Sequence, residues 1–239
     1  MEEHKYFIVE AINRLLKGLL APILPGTHGG YLVPPHILMA LIAALLLILL
    51  LKLGGRRREI FPGRMQILFE SILGFIQNMV DDFLGPEGRK YVPVIGTLGL
   101  FIFMANLLGL FPDLASPTAN LNVTVGCAVF IFLYYHLQGI KKHGFFRYLK
   151  QFTGPVWYLA VVFIPIEVIS HISRILSLSL RLFVNIFGED LVILSVITIF
   201  AYLAPVPMMA FAIFTSVLQA YIFVSLSLIY LSGALATEH

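Results

Sequence analysis

Long apolar stretches separated by short polar segments make up most of this chain. Several of them reach the roughly 20 residues that an α-helix needs to cross the hydrocarbon core of a bilayer. The pattern therefore predicts an all-α polytopic membrane protein, with residues 36–239 forming a single membrane domain. About five membrane-embedded helices are expected, at 36–53, 91–111, 121–137, 155–203 and 208–232.

Two other segments are amphipathic rather than uniformly apolar. Within 1–25, charged residues alternate with leucine and isoleucine, and a Pro- and Gly-rich stretch follows. Residues 1–35 are therefore predicted to form an N-terminal interfacial helix and a loop. In 62–84, apolar residues recur at helical spacing but polar and charged residues interrupt them, which predicts a helix on the membrane surface or against partners.

The stretch 155–203 is too long for an ordinary span. A straight helix of this length would measure roughly 70 Å, whereas the hydrocarbon core is about 30 Å thick. Two solutions are open: two spans with a polar loop near 174–190, or one strongly tilted helix. The absence of a Gly/Pro cluster between Ser170 and Phe187 favours the tilted helix. Residues 204–207, Ala-Pro-Val-Pro, predict a turn before the last helix.

Basic residues indicate how the chain crosses the membrane. Three arginines, 56–58, follow the first apolar stretch, and the predicted loop 139–151 contains four lysines and arginines. Short loops rich in Lys and Arg face the cytoplasm. Both clusters agree with one topology, in which the N-terminus lies outside and the C-terminus is cytoplasmic.

Composition supports this reading and excludes other classes. The chain is 59% hydrophobic and 12% charged, whereas a soluble domain is about half apolar and a quarter charged. A pI near 9.0 does not indicate nucleic-acid binding here, because the positive charges lie in short loops between apolar stretches. The single cysteine, Cys127, has no partner for an intrachain disulfide. The acidic start of the sequence does not resemble a cleaved signal peptide.

The stretch from Glu167 to Asp190 combines membrane-like apolarity with ionisable side chains, which are costly at bilayer depth and therefore suggest function. On a helical wheel of about 100° per residue, Asp190 falls opposite Arg181. Five other polar residues lie within a quarter turn of that arginine: Glu167, His171, Arg174, Asn185 and Glu189.

Arg181 is the strongest functional candidate of this stripe. No acidic residue lies three or four positions away to neutralise it, so a partner's carboxylate or a wet cleft must face it. An arginine stays protonated at physiological pH and attracts a passing carboxylate by about 4 kcal/mol at 4 Å. That attraction lowers the pKa of a mobile acid by about 3 units, so the acid passes only after losing its proton. A fixed arginine is thus a gate between two proton paths.

The neighbouring polar residues have two interpretations. As relay groups, carboxylates, histidine and glutamine would line water-filled half-paths on either side of the gate. As structural groups, Arg174 would snorkel or cap, His171 would pack in the core, and Asn185 would form an interhelical hydrogen bond.

Several short motifs are distributed along the chain. The central one is SLSLRLFVN at 177–185, followed by the two acids Glu189 and Asp190. Others are PGRMQ from 62, FE at 69–70, NLLGLFP at 106–112, PTANLN at 117–122, LQAYIF at 218–223 and LIYLS at 228–232. Together, over about 34–232, they resemble subunit a of the bacterial F-type ATP synthase membrane (Fo) sector.

The resemblance implies specific roles. Arg181 matches the family's essential arginine, and Asn185 its asparagine four residues on. Asp190 stands where an acid, commonly Glu, follows nine residues after the arginine, with Glu189 beside it. Gln219 matches a glutamine that faces the arginine from the last helix, and Glu167 an acid fourteen residues before it.

The same resemblance implies the architecture and the partners. The last two helices would be long, strongly tilted and arranged as a hairpin against a ring of c subunits, whose carboxylate passes Arg181. Peripheral-stalk subunits of the b type and other synthase subunits would complete the complex in a bacterial plasma membrane. The chain would provide the proton half-channels that couple proton flow to rotation and ATP synthesis.

No catalysis by this chain alone is expected. The sequence has no G-x-x-x-x-G-K-[ST] phosphate loop, and no cofactor, metal site or nucleic-acid partner is predicted. The alternative function is a self-contained secondary transporter in which Arg181 binds an anionic substrate; it would need a discontinuous midplane helix and often inverted repeats. The sequence leaves open whether Glu189 or Asp190 relays the incoming proton, and H⁺ rather than Na⁺ coupling is the default.

Overall fold

The computed structural model describes residues 33–55, 63–111, 114–151, 160–199 and 205–236, together with Glu10 and Arg14. Regular structure in these ranges is entirely helical, which confirms the predicted all-α class. Two short 3₁₀ helices, Pro86–Tyr91 and Pro117–Ala119, accompany the α-helices. The α-helices are α1 Pro35–Gly55, α2 Arg64–Leu84, α3 Val92–Leu108, α4 Leu121–His143, α5 Phe145–Gln151, α6 Ala160–Ile199 and α7 Pro205–Leu235.

Five helical segments of the described chain are long and apolar enough to cross a membrane. They correspond to α1, α3 with its preceding 3₁₀ turn, α4, α6 and α7. Helix α2 is not among them, because polar side chains interrupt its apolar positions. The chain is therefore a multi-pass membrane protein, as the apolar pattern predicts.

Helix α6 decides between the two solutions for the long apolar stretch. It is one helix of 40 residues, uninterrupted from 160 to 199, so no polar loop separates 174 from 190. At 1.5 Å per residue it is roughly 60 Å long, about twice the thickness of the hydrocarbon core. A helix of this length has to incline in the membrane or extend beyond it.

Two predicted loops contain more helix than expected. The predicted loop 139–151 consists of the end of α4, a turn at Gly144 and the short helix α5. Gly144 has φ 82°, a left-handed conformation that glycine adopts readily, and it ends α4. The predicted turn at 204–207 was also wrong in part, because Pro205 and Pro207 lie in the first turn of α7, where proline is tolerated. Residue 204 lies outside the described ranges.

Helix α7 is the centre of the bundle. It packs on α3, α4 and α6, and more lightly on α2. Its residues Phe223, Leu228 and Leu231 are almost completely buried. Gly99 of α3 allows close approach, since a Cβ atom at this position would overlap the side chain of Val224. Small residues at helix contacts are typical of membrane bundles.

Helix α6 lies at the side of the bundle. It packs on α4 and α7, and only 11% of its span-length window is buried, compared with 44% for α7. Along the remaining surface aliphatic side chains are exposed, among them Ile169, Leu176 and Val184. One face of α6 is therefore left for lipid or for another protein.

A buried polar network fixes the connection between α3 and α4. The Thr118 hydroxyl donates a hydrogen bond to Asn106 Oδ1 and lies 2.6 Å from the Ser116 hydroxyl. Ser116 also donates to the carbonyl oxygen of Ala105 at 3.1 Å. Two motifs on which the family resemblance rests, NLLGLFP and PTANLN, are thus parts of one contact.

The predicted N-terminal interfacial helix lies outside the described ranges except for two residues. Glu10 and Arg14 are both helical and form an ion pair of 2.8 Å, four residues apart.

Candidate functional site

Two hydrogen bonds join the polar face of α6 to α7. Asn185 Nδ2 donates to Gln219 Oε1 at 2.9 Å. One turn further along α6, Glu189 Oε2 accepts a hydrogen bond of 2.5 Å from the Thr215 hydroxyl. Four residues forward on α6 correspond to four residues back on α7, so the helices form an antiparallel pair in one register.

A third contact extends this register toward the other end of the pair. The Arg174 guanidinium lies over the Tyr230 ring, 5.3 Å from its centroid. Arg174 lies eleven residues before Asn185, and Tyr230 lies eleven residues after Gln219. An arginine over an aromatic face forms a stabilising cation–π interaction. This contact therefore supports the interpretation of Arg174 as a structural residue.

Arg181 lies between these contacts but takes part in none of them. Its side chain is exposed, whereas the adjacent Leu182 is fully buried. Within the described ranges, no carboxylate forms an ion pair with Arg181 and no side chain forms a hydrogen bond with it. Its positive charge is therefore left for water or for a group from another molecule.

Glu189 and Asp190 point in different directions. Glu189 lines a cavity of about 510 Å³ between α6 and α7, together with Asn185, Thr215 and Gln219. Asp190 does not line this cavity; it is half-buried and follows the buried Ile186 by one helical turn. The helical wheel predicted this divergence, since it placed Glu189 near Arg181 and Asp190 on the opposite side.

Gln219 is almost completely buried, with 3% of its surface exposed. The family resemblance implies that it faces the arginine. In this structure its amide oxygen accepts from Asn185, one turn beyond Arg181 on the same helix. Gln219 is thus part of the polar face around the arginine without contacting its guanidinium through a hydrogen bond.

The two remaining predicted residues belong to a second cluster. His171 Nε2 lies 3.2 Å from Glu167 Oε1, four residues earlier on α6. Its other ring nitrogen, Nδ1, lies 3.0 Å from the hydroxyl of Tyr135 on α4. Both imidazole nitrogens are therefore engaged, which fixes the ring between α6 and α4.

The cluster continues from α4 to α5. His136 Nδ1 lies 2.7 Å from the Tyr148 hydroxyl, and the rings of His136 and His171 are 4.7 Å apart. Burial raises the pKa of Tyr148 to about 12, so its hydroxyl stays protonated at neutral pH. Polar groups from α4, α5 and α6 thus meet in one place.

Sequence reasoning missed five residues of these clusters. One of them had a readable signal, because Thr215 precedes Gln219 by one helical turn and so shares its face. The others are tyrosine or histidine residues that only the packing of the helices brings to these clusters: Tyr135, His136, Tyr148 and Tyr230. Within the described residues, no group of three His, Cys, Asp or Glu side chains could hold a metal ion.

Comparison with known sequences identifies the family. Residues 37–232 match the family model described as ATP synthase A chain. The chain belongs to the ATP synthase subunit a family. A subunit a from Syntrophobacter fumaroxidans is 40% identical over 241 aligned positions that cover all of both chains. Relatives in Geobacter sulfurreducens and Campylobacter jejuni are 47% and 41% identical, over 74% and 84% of this chain and 77% and 88% of their own length.

Membership in the subunit a family confirms the resemblance on which several predictions depend. The matched range contains the whole stretch from Glu167 to Asp190 as well as Gln219 on α7. It begins two residues after the start of α1 and ends within the last turn of α7, so it includes nearly all of these two helices and the whole of the three span-length helices between them.

Proposed function

We propose that this chain is the proton-translocating stator subunit of the membrane (Fo) sector of an F-type ATP synthase. Membership in the subunit a family and five span-length helices support this role. Its partners would be a ring of c subunits, b-type peripheral-stalk subunits and the rest of the synthase. The membrane would be a bacterial plasma membrane, with the N-terminus outside and the C-terminus in the cytoplasm, as the basic clusters indicate.

The observation that carries the proposal is that the Arg181 side chain is exposed and forms no ion pair or side-chain hydrogen bond within the described ranges. It is a permanent positive charge on a span-length helix, exposed on a surface that the other described segments do not cover. A charge in this position requires a partner, and a c-subunit carboxylate that passes it would fulfil the requirement. The arginine lets only the ionised carboxylate pass and so prevents a proton from crossing directly between the half-channels.

The outer half-channel would use the cavity between α6 and α7. With the N-terminus outside, α6 runs from the cytoplasm outward, so Glu189 lies on the outer side of Arg181. Because Glu189 lines the cavity and Asp190 does not, we assign the incoming proton relay to Glu189. Asn185 and Gln219 lie between this carboxylate and the level of the arginine.

The inner half-channel would begin at Glu167. This carboxylate lies fourteen residues before Arg181, toward the cytoplasm, and its side chain is 41% exposed. His171 holds it from one side, so the carboxylate is positioned and still accessible to water. A proton released from the c ring would leave by this route.

The alternative of a self-contained secondary transporter has less support. Such transporters bind their substrate where a helix is interrupted near the midplane. Helix α6 is continuous from 160 to 199 and has no interruption near Arg181. The arginine is also exposed on the surface of the bundle, whereas a substrate site would be enclosed between helices.

The substitution Arg181→Ala in the assembled synthase tests the proposal. We expect ATP synthesis and ATP-driven proton pumping to be lost, while membranes stripped of the nucleotide-binding subunits still conduct protons passively. Arg147→Ala is the matched control, because Arg147 is an exposed arginine on α5 outside the span-length helices. Normal coupled synthesis in the Arg181→Ala enzyme would overturn the assignment.

A further inference from the structure

A second cavity, of about 480 Å³, lies at the end of the bundle that the basic clusters place in the cytoplasm. The end of α2, the 3₁₀ helix 86–91, the end of α4 and the end of α7 surround it. None of the residues assigned to the proton path lines it. Its polar lining consists of Glu87, Lys90, Gln138, Lys141, Lys142 and Ser232.

The cavity has an excess of positive charge. Three lysines and one glutamate line it, and no carboxylate in the described ranges forms an ion pair with any of these lysines. Asp81, an acidic residue of α2 outside the lining, is already paired: Arg89 contacts it at 2.8 Å, and its hydrogen bonds with Arg89 hold the pKa of Asp81 below the usual range. Asp81 therefore stays ionised and bound to Arg89, so it does not form an ion pair with the lysines of the cavity.

Two of the ammonium groups have fixed positions. Lys142 donates a hydrogen bond of 2.8 Å to the carbonyl oxygen of Leu235, at the end of α7. This contact offsets the partial negative charge that a helix carries at its C-terminus. The Lys90 ammonium lies 5.1 Å from the centroid of the Tyr91 ring, where the aromatic face holds it. Lys141 is exposed beside them.

The rest of the lining is apolar. Phe83 and Leu84 at the end of α2 and Leu235 of α7 contribute hydrocarbon surface next to the lysines. Helix α2 is amphipathic, and the proposed topology would place it where the cytoplasm and the bilayer meet. A phospholipid would suit such a lining, because its phosphate would contact the lysines and its hydrocarbon would cover the apolar side chains.

We propose that this cavity binds the phosphate headgroup of an anionic glycerophospholipid from the cytoplasmic leaflet. Its volume lies within the range of about 300–1,000 Å³ that is typical of ligand cavities. Inorganic phosphate offers the same charge but would leave the apolar part of the lining uncovered, so the lipid is the better occupant. The site is independent of the proton path and goes beyond the function proposed for Arg181.

The test uses the purified synthase complex. It is reconstituted into vesicles of phosphatidylcholine with or without phosphatidylglycerol and then extracted again. Lipid that stays bound to the complex is measured by native mass spectrometry. The substitutions Lys90→Gln and Lys141→Gln are combined, while Lys142 is kept because it caps α7. We expect bound phosphatidylglycerol to fall at least about fivefold.

The matched control combines Lys52→Gln and Arg147→Gln, which remove the same charge from two exposed positions outside the cavity. It should change bound phosphatidylglycerol by less than about twofold. An equal loss of bound phosphatidylglycerol in both double variants would show that the lipid responds to the overall surface charge. That result would overturn the proposed site. Retention of the lipid by the Lys90/Lys141 variant would do the same.

Inorganic phosphate is used as a competitor, because a free phosphate ion offers the same charged group as the lipid headgroup. We expect an excess of phosphate to leave the bound phosphatidylglycerol unchanged. Displacement of the lipid by phosphate would assign the cavity to a soluble anion and overturn the lipid assignment. If the double variant fails to assemble, Lys141→Gln alone replaces it, because this side chain is exposed and no hydrogen bond to it is seen in the described residues.

Discussion

Asn185 and Gln219 form a direct amide–amide hydrogen bond of 2.9 Å between α6 and α7, one helical turn from Arg181. Gln219 is almost fully buried, so in the absence of this bond its amide oxygen would lie unsatisfied within the bundle. The pair therefore holds the arginine-bearing helix in register with the central helix. This relation makes the two residues interdependent.

A double-mutant cycle measures that dependence. We expect Asn185→Ala and Gln219→Ala each to destabilise the complex, and the double variant to be less destabilised than the sum of the two by about 0.5–1.7 kcal/mol. Thermal unfolding of the solubilised synthase provides the measurement. Ser173→Ala is a suitable control, because this exposed residue of α6 lies away from the pair and should add independently to Gln219→Ala. Strict additivity of Asn185→Ala and Gln219→Ala would show that the bond does not couple the helices.

Glu189 and Asp190 are adjacent in sequence but differ in surroundings, and this permits a matched comparison. Glu189→Gln removes the titrating group that lines the cavity between α6 and α7 while keeping its shape. We expect passive proton conduction through the membrane sector to fall by about tenfold or more, because Glu189 is the titrating group of the described lining.

Asp190→Asn is the control for that comparison, since it neutralises the neighbouring carboxylate outside the cavity. Its effect on proton conduction should be smaller by about threefold or more. Proton uptake by vesicles with an imposed membrane potential gives both values. A larger loss for Asp190→Asn would reverse the assignment and make Asp190 the relay, as its position in the family motif suggests.

The network between α3 and α4 leads to a prediction about stability. Thr118 is completely buried, and Thr118→Val removes the hydroxyl that bonds Asn106 while keeping the volume of the side chain. Asn106 Nδ2 already has no hydrogen-bond partner in the described part of the chain, so its amide would be left unsatisfied on both sides. We expect a loss of about 1–3 kcal/mol in the free energy of unfolding.

Thermal denaturation of the purified complex checks this expectation. Thr97→Val is the control, because the exposed Thr97 hydroxyl donates to the carbonyl oxygen of Pro93 on its own helix. Its effect should stay within about 0.5 kcal/mol. Equal effects of the two substitutions would mean that the buried network contributes little to holding the two helices together.

The amino-acid pattern predicted those features that depend on one helix at a time. Apolar length located the five span-length helices, and the helical period separated Glu189 from Asp190 before any packing was known. Absence of a turn signal favoured a single helix through Arg181, which α6 confirms. These are local properties, because period and length act within one segment.

Contacts between helices were not predictable in the same way. Tyr135 and His136 lie within an apolar helix, and only its packing on α6 brings Tyr135 to His171. The prediction of a loop at 139–151 was wrong for a related reason. Its basic residues indicate the topology, but charge alone does not distinguish a loop from a helix that extends past the membrane. The cavity with Lys90 and Lys141 likewise required the ends of four segments to meet.

The one-sided burial of α6 has a mechanical consequence. Its uncovered surface is mostly aliphatic, and Arg181 is its charged group in the described middle of the helix. Dispersion contacts with aliphatic side chains are weak and non-directional, so a neighbouring helix can exchange one set for the next without breaking hydrogen bonds. Resistance to sideways movement would be low everywhere except at the arginine. If a c ring moves along this surface, friction would be concentrated at Arg181, the residue proposed to admit only an ionised carboxylate.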